Sequence, residues 1–209
     1  MKNALLKAFS FGFPKTETRL FKIRKKSFDI FQKGRNIKKV FMQSKFLDIS
    51  TVKAIKANMH WRDWLPFLVS NETGLRIGDV LALRWCNVEP DGHVKYMAKK
   101  TGKIGETIIS PHTLLLIKNA YYFNKGQWLF PGRKEGKHLT RQTAWYRIKK
   151  ACERAKIDAS GISPHSFRKV FAVTQLHASG GDINSVKKAL QHDGLGDTAL
   201  YAFSDQFSR

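Results

Sequence analysis

The stretch SPHSFRKVFAVTQLHASGG, residues 163–181, decides how this chain is read. Ser163 is a helix N-cap type. Pro164 suits the first helical position, where its fixed φ helps and its missing N–H costs nothing. The pattern predicts a helix to about His177, ended by Gly180-Gly181. His165 and Arg168 fall at i and i+3 in its first turn, so both project from one face. That helix end also presents free N–H groups and a positive dipole end, which favour an anion. An isolated HxxR is more often a local cap or pair, so its weight depends on what surrounds it.

Upstream lies TGLRIGDVLALRW, residues 73–85. Thr73-Gly74 reads as a turn, and 76–83 as a short helix with Ile77, Val80, Leu81 and Leu83 facing inward. Arg76 can grip a phosphate through two parallel hydrogen bonds. Asp79, three residues on, is placed to orient that guanidinium or a neighbouring helix end. Residues 84–88 and 93–99 read as strands, Thr101-Gly102-Lys103 as a turn, and Thr107–Ser110 as a strand pairing back.

The remaining pattern is helical. Residues 50–70 form one helical stretch, with Pro66 as an internal break or new start. Helix resumes after Pro111, and Thr140 caps another that runs to about Arg154. Asp182 caps a helix through His192, Asp193-Gly194 breaks it, and a last short helix carries Tyr201. The expected fold class is α+β, mostly helical, with one small antiparallel β-sheet.

Composition narrows the partners. The chain has 209 residues, 42% hydrophobic and 12% aromatic, enough for a packed core rather than a disordered polymer. It carries 38 Lys and Arg against 16 Asp and Glu, a formal charge of +22. Such a balance favours phosphate backbones, through salt-dependent counterion release. A ribosome-associated or membrane-surface protein is the plain alternative. Charge is concentrated early: residues 1–60 hold 15 Lys and Arg and 3 acidic residues. Phe21, Phe28 and Phe31 recur there at helical spacing, so the segment reads as a basic arm with some helix.

Cys86 and Cys152 are not a metal-spaced pair, and both are expected as buried thiols in a reducing compartment. No apolar run reaches the ~18 residues of a membrane span. The opening MKNALLKAFSFGF has an apolar run interrupted by Lys7 and no small-residue cleavage site, so a cytoplasmic location is expected.

Read together, TGLRIGDVLALRW, KKTGK in a predicted hairpin, SPHSFRKVFA, LQH, and Tyr201 nine residues after that His resemble the tyrosine recombinase (phage integrase) family. WLFP at 128–131 and LTRQTAWYRIKKA at 139–151 fit as well. The resemblance covers about residues 47–203 and implies a catalytic domain at 47–209, preceded by a basic arm or reduced DNA-binding segment at 1–46. By position, Arg76 looks like the first family arginine, with Asp79 at the acidic position after it. Lys100 looks like the catalytic lysine, and His165 and Arg168 like the His-x-x-Arg pair. His192 fills the second histidine position, and Tyr201 matches the nucleophile.

Some features depart from the family. Lys169 stands where a histidine is common, and LQH replaces the usual Leu-Gly-His. Family members usually carry a larger helical segment ahead of the catalytic domain, so a short member is expected. Eight residues follow Tyr201, so any tail helix given to a neighbouring subunit would be very short.

The resemblance implies strand cutting and rejoining through a 3′-phosphotyrosine, without metal, ATP or another cofactor. Arg76, Arg168 and His192 would stabilise the phosphate, Lys100 would protonate the leaving oxygen with Lys103 as runner-up, and His165 would assist the tyrosine proton. Double-stranded DNA is the expected partner, with a tetramer on DNA and accessory DNA-bending proteins. Lys22, Arg24, Lys25, Lys26, Lys38, Lys39 and Lys103 are candidate DNA contacts. A type IB topoisomerase-like or telomere-resolving enzyme, or a catalytically silent DNA-binding regulator, are the alternatives.

Overall fold

The computed structural model describes residues 44–122 and 126–205. Within them, local capping chemistry sets most helix starts. Asp48 accepts the Thr51 N–H at 2.7 Å and opens α1 (Ile49–Ala57). His60 Nδ1 accepts the Arg62 N–H at 3.3 Å and opens α2 (Trp61–Thr73). The helical break therefore falls at Asn58–His60, not at Pro66, which lies buried inside α2. A helix interior tolerates proline when surrounding packing offsets the lost hydrogen bond.

Gly74 ends α2 with a left-handed φ of 68°, and a Cβ there would sit 2.4 Å from the Phe171 ring. Both conformation and space demand glycine. The chain then turns into α3 (Ile77–Leu81), whose Ile77, Val80 and Leu81 are buried, as is Leu83 just beyond.

Residues 84–88, expected as a strand, instead hold a 3₁₀ turn at Trp85–Asn87. Asn87 Oδ1 accepts the Arg84 N–H at 2.7 Å, closing the turn locally, which is how Asn side chains compete with a strand ladder. Cys86 is exposed on this turn, whereas Cys152 is buried, so only one of the two expected buried thiols is found.

β1 (His93–Met97) pairs antiparallel with β2 (Ile104–Ile108), in the register Val94↔Thr107 and Tyr96↔Gly105. The second strand thus starts and ends earlier than the sequence suggested. Then follow α4 (Pro111–Tyr122), α5 (Arg141–Arg154) capped by Thr140, and α6 (Pro164–Ala178) capped by Ser163. α7 (Ile183–Leu190) is capped by Asp182, and α8 (Leu195–Ala202) carries Tyr201. α7 stops at Leu190 because Gln191 adopts a left-handed φ of 50°. His192, expected within that helix, lies beyond it.

α6 is the hub. Near its start, Phe167 is fully buried against Phe67 and Trp64 of α2, with ring centroids 5.1 and 5.5 Å away. Further along, Phe171, Ala172 and Leu176 join Val186, Leu190, Ala199 and Phe203 in a second cluster. Burying a large apolar side chain contributes about 1.5–3 kcal/mol, so these two clusters fix α6 against α2 on one side and α7–α8 on the other. Arg168 lies between them. Among the described residues, no helix is long and apolar enough to cross a membrane.

Candidate active site

The cap expected at Ser163 is formed reciprocally. Its Oγ accepts the His165 N–H at 3.2 Å, and Ser166 Oγ accepts the Ser163 N–H at 3.2 Å. This fixes the first turn of α6 and the direction in which His165 and Arg168 leave it.

Arg168 is 3% exposed. Its Nη2 donates to the Leu190 carbonyl at 2.6 Å and reaches His192 Nε2 at 3.2 Å. A guanidinium only donates, so Nε2 accepts. Burial, followed by the nearby Arg76 charge, lowers the Arg168 pKa to about 10, which leaves it cationic at neutral pH. His192 is pulled down to about 4 by burial first, then by Arg168 and Arg76, so it is neutral. The packing makes this ring an acceptor toward Arg168.

Tyr201 completes the cluster. Its ring meets His192 edge-on at 5.3 Å, and the Arg168 guanidinium carbon lies 6.0 Å from the ring centroid. Burial raises the phenol pKa, against the lowering pull of Arg168 and Arg76, so the resting phenol keeps its proton. His165 retains an exposed surface, yet partial desolvation and then the charges of Arg168, Arg76, Arg141 and Lys169 lower its pKa. It is a neutral imidazole poised to accept a proton.

Arg76 occupies the N-cap position of α3 and lines one pocket with Asp79, Tyr96, Arg168, Leu190 and Gln191. Asp79 is 6% exposed, and its Oδ1 accepts the Lys99 N–H at 3.0 Å. It therefore anchors the hairpin turn rather than the Arg76 guanidinium. Lys100, next in that turn, is exposed, and its charge acts on His192 and Asp193. Lys103 pairs with Asp193 at 2.9 Å through side chains 59% and 76% exposed. Lys103, Ile104, Lys187, Lys188, Gln191 and His192 line a basic groove between the hairpin and α7.

The structure thus gathers Arg76, His165, Arg168, His192 and Tyr201, with the Lys100 turn beside them. Lys22, Arg24, Lys25, Lys26, Lys38 and Lys39, and the helical reading of Phe21, Phe28 and Phe31, lie outside the described residues. Lys169 is 7% exposed, and its amine donates to the Ser44 carbonyl.

Sequence reasoning missed three supports. Thr198 Oγ1 lies 3.3 Å from His192 Nδ1. Tyr96 is buried against the site. Gly105 admits the hairpin: a Cβ there would sit 2.1 Å from Gln191 Nε2 and 2.7 Å from the Tyr96 hydroxyl. Gly105 would have carried a signal, since glycine inside a strand often marks a close approach, but the expected strand began only at Thr107 and left it out. Among the described residues, no group of three or more His, Cys, Asp or Glu is placed to hold a metal ion.

A family model described as the phage integrase family matches residues 38–206. Tyrosine recombinase XerD of Yersinia pestis is 31% identical over 150 residues, covering 67% of this chain and 49% of that protein. The chain spans about half the length of the curated relatives it matches. The fold resembles XerH site-specific recombinase, solved with difH substrate as a post-cleavage complex: TM-score 0.65, 17% identity, covering 78% of this chain and 51% of that one. It also resembles a lambda integrase tetramer bound to a Holliday junction: TM-score 0.62, 16% identity, covering 76% and 48%.

Proposed function

The chain belongs to the phage integrase family, and on that premise we propose that it is a site-specific recombinase that cuts and rejoins double-stranded DNA through a 3′-phosphotyrosine at Tyr201. One observation carries this reading. Arg168, buried on α6, touches His192 beyond α7 and faces Tyr201 on α8, while Arg76 from α3 shares its pocket. Residues far apart in the chain thus bring two guanidiniums, a histidine and a tyrosine together, the donors and nucleophile that one phosphodiester would need.

The chemistry follows from their states. The Tyr201 hydroxyl attacks phosphorus in line, a P–O bond forms, and the bond to the 5′-oxygen breaks. Because the resting phenol is protonated, its proton must leave, and neutral His165 is the acceptor on the site's cationic rim. Arg76 and Arg168 stabilise charge growing on the non-bridging oxygens; each such donor contributes about 10²–10³ in rate. Lys100 on the hairpin turn protonates the leaving 5′-oxygen. His192 acts first on Arg168, which it orients through Nε2. The phosphotyrosine retains the bond energy, so religation by the 5′-hydroxyl needs no ATP, and the arginines supply the charge neutralisation that a metal would otherwise provide.

Exchange between two duplexes requires four active sites, so a tetramer on DNA is the working assembly, with DNA-bending proteins as accessories and the cytoplasm as location. Residues 1–46 form the basic segment ahead of a catalytic domain at 47–209. The topoisomerase-like and silent-binder alternatives are not favoured, because the relatives are recombinases. The test is covalent trapping. Incubated with nicked DNA from around its own gene, the native chain yields a denaturation-resistant protein–DNA adduct and Tyr201→Phe does not. An adduct that survives Tyr201→Phe overturns the assignment.

A further inference from the structure

Thr198 is fully buried on α8, six residues after His192, and none of the steps above uses it. Its surroundings allow each proton only one place. Arg168 Nη2 is purely a donor, so His192 Nε2, 3.2 Å away, must offer a lone pair. A neutral imidazole has one N–H, which therefore sits on Nδ1. Nδ1 faces Thr198 Oγ1 at 3.3 Å, long for such a bond but without competition from another described partner. The Thr198 hydroxyl in turn donates its proton to the Gly194 carbonyl at 3.1 Å. The relay runs in one direction: His192 Nδ1–H to Thr198, Thr198 O–H to Gly194.

We infer that Thr198 is a positioning residue for strand cleavage: by accepting the His192 Nδ1–H it reserves Nε2 to hold the Arg168 guanidinium. The inference rests on the strand-transfer reading of this site. Without the hydroxyl, the Nδ1–H loses its acceptor and is left buried and unpaired, so the pull of Arg168 on Nε2 alone has to hold that tautomer; the alternative tautomer would aim an N–H at a cation. His192 would then turn away, and Arg168 would keep only the Leu190 carbonyl. A guanidinium held at one point pivots, whereas one held at two points presents its remaining donors in a fixed direction. Gly194 O does not depend on the hydroxyl, since the Thr198 backbone N–H also reaches it at 3.4 Å. Removing the hydroxyl therefore isolates the histidine contact.

The experiment compares the full chain with Thr198→Val, which keeps the shape and loses the hydroxyl, and with Thr198→Ser, which keeps the hydroxyl. Long-range ¹H–¹⁵N correlation in free protein reads the His192 tautomer. The wild type and Thr198→Ser should show Nδ1–H, and Thr198→Val a mixture containing Nε2–H. Single-turnover adduct formation on nicked duplex should fall on the order of tenfold in Thr198→Val, the scale at which partners orienting a histidine act, with DNA binding unchanged and Thr198→Ser restored. An Nε2–H tautomer in the wild type overturns the proposal even if Thr198→Val does not fold. So does a Thr198→Val protein with wild-type tautomer and rate, or a Thr198→Ser protein as slow as the valine variant. If no variant forms an adduct on any substrate, the strand-transfer reading fails, while the tautomer measurement still decides the role of Thr198 at His192.

Discussion

Gly105→Ala should slow cleavage by displacing the hairpin, without touching a residue assigned to the chemistry. Gly105 lies in β2 opposite Tyr96, and its backbone conformation accepts alanine. Space does not. The added methyl would lie 2.1 Å from Gln191 Nε2, 2.7 Å from the Tyr96 hydroxyl oxygen and 2.8 Å from Tyr96 Cζ. Gln191 can swing its amide aside. Tyr96 cannot, because it is 7% exposed and packed beneath the strand. The strand must therefore lift by roughly 0.6–0.7 Å to reach the 3.4 Å of ordinary contact.

Overpacking of this kind costs about 1–3 kcal/mol. For a chain of this size each kcal/mol lowers Tm by about 2–4 °C, so a fall of about 2–12 °C is expected. The catalytic effect is larger in proportion. The Lys99 N–H anchored by Asp79 and the Lys103–Asp193 pair both belong to the displaced turn. A misplacement approaching 1 Å can cost about 10²-fold in rate, so adduct formation should drop by about 10- to 100-fold.

The assay is single-turnover adduct formation on two nicked duplexes, one normal and one with sulfur at the bridging 5′ position. A thiolate leaves without a proton, so the sulfur substrate should recover most of the rate if the hairpin's role is to bring Lys100 to the leaving oxygen. Adding Gln191→Ala should restore little, since the Tyr96 overlap remains. A Gly105→Ala protein that cleaves the normal substrate at the wild-type rate would refute the reasoning. So would a defect equally deep on the sulfur substrate.

Arg168→Ala should reduce adduct formation by about 10²–10³ and also lower Tm, because a buried cation is lost along with its bonds to Leu190 and His192; unchanged thermal unfolding would contradict the packing described. Lys100→Ala should lose cleavage that the sulfur substrate restores, whereas Lys103→Ala should alter neither stability nor rate strongly, since an exposed ion pair contributes about 0–1 kcal/mol; the reverse pattern would move the acid to Lys103. His192, depressed from 6.5 to about 4, binds a proton in the unfolded chain before it does so in the folded one, so stability should decline as pH falls from about 6.5 toward 4, by up to about 3 kcal/mol from this group. His192→Gln should flatten that slope in chemical denaturation, and an unchanged slope would show that the ring is not desolvated as described.

Much of the site was legible because its signals are local. Ser163, Thr140 and Asp182 cap helices through hydrogen bonds that reach only two or three residues along the chain, and each cap lies where the sequence placed it. The burial of Ile77, Val80 and Leu81 followed from helical periodicity. The order of Arg76, the His165–Arg168 pair, His192 and Tyr201 carried the family resemblance. Where expectation failed, a nonlocal or finely balanced term had decided. Residues 84–88 read as a strand, but the Asn87 side chain closes a turn at Arg84. Pro66 reads as a break, yet packing around α2 tolerates it. Cys86 sits in an apolar stretch and still faces solvent.

The sequence alone determined which groups are present, which helix ends carry them and in what order they occur, because caps, turns and periodicity act over a few residues. It could not determine their states. That Arg168 is buried yet charged, that His192 is a neutral acceptor, and that Asp79 serves the hairpin instead of Arg76 depend on which surfaces α6, α7, α8 and the hairpin turn toward one another. Desolvation and hydrogen-bond direction are properties of groups brought within a few ångströms by packing, and in this chain those groups are separated by as many as 125 residues, from Arg76 to Tyr201.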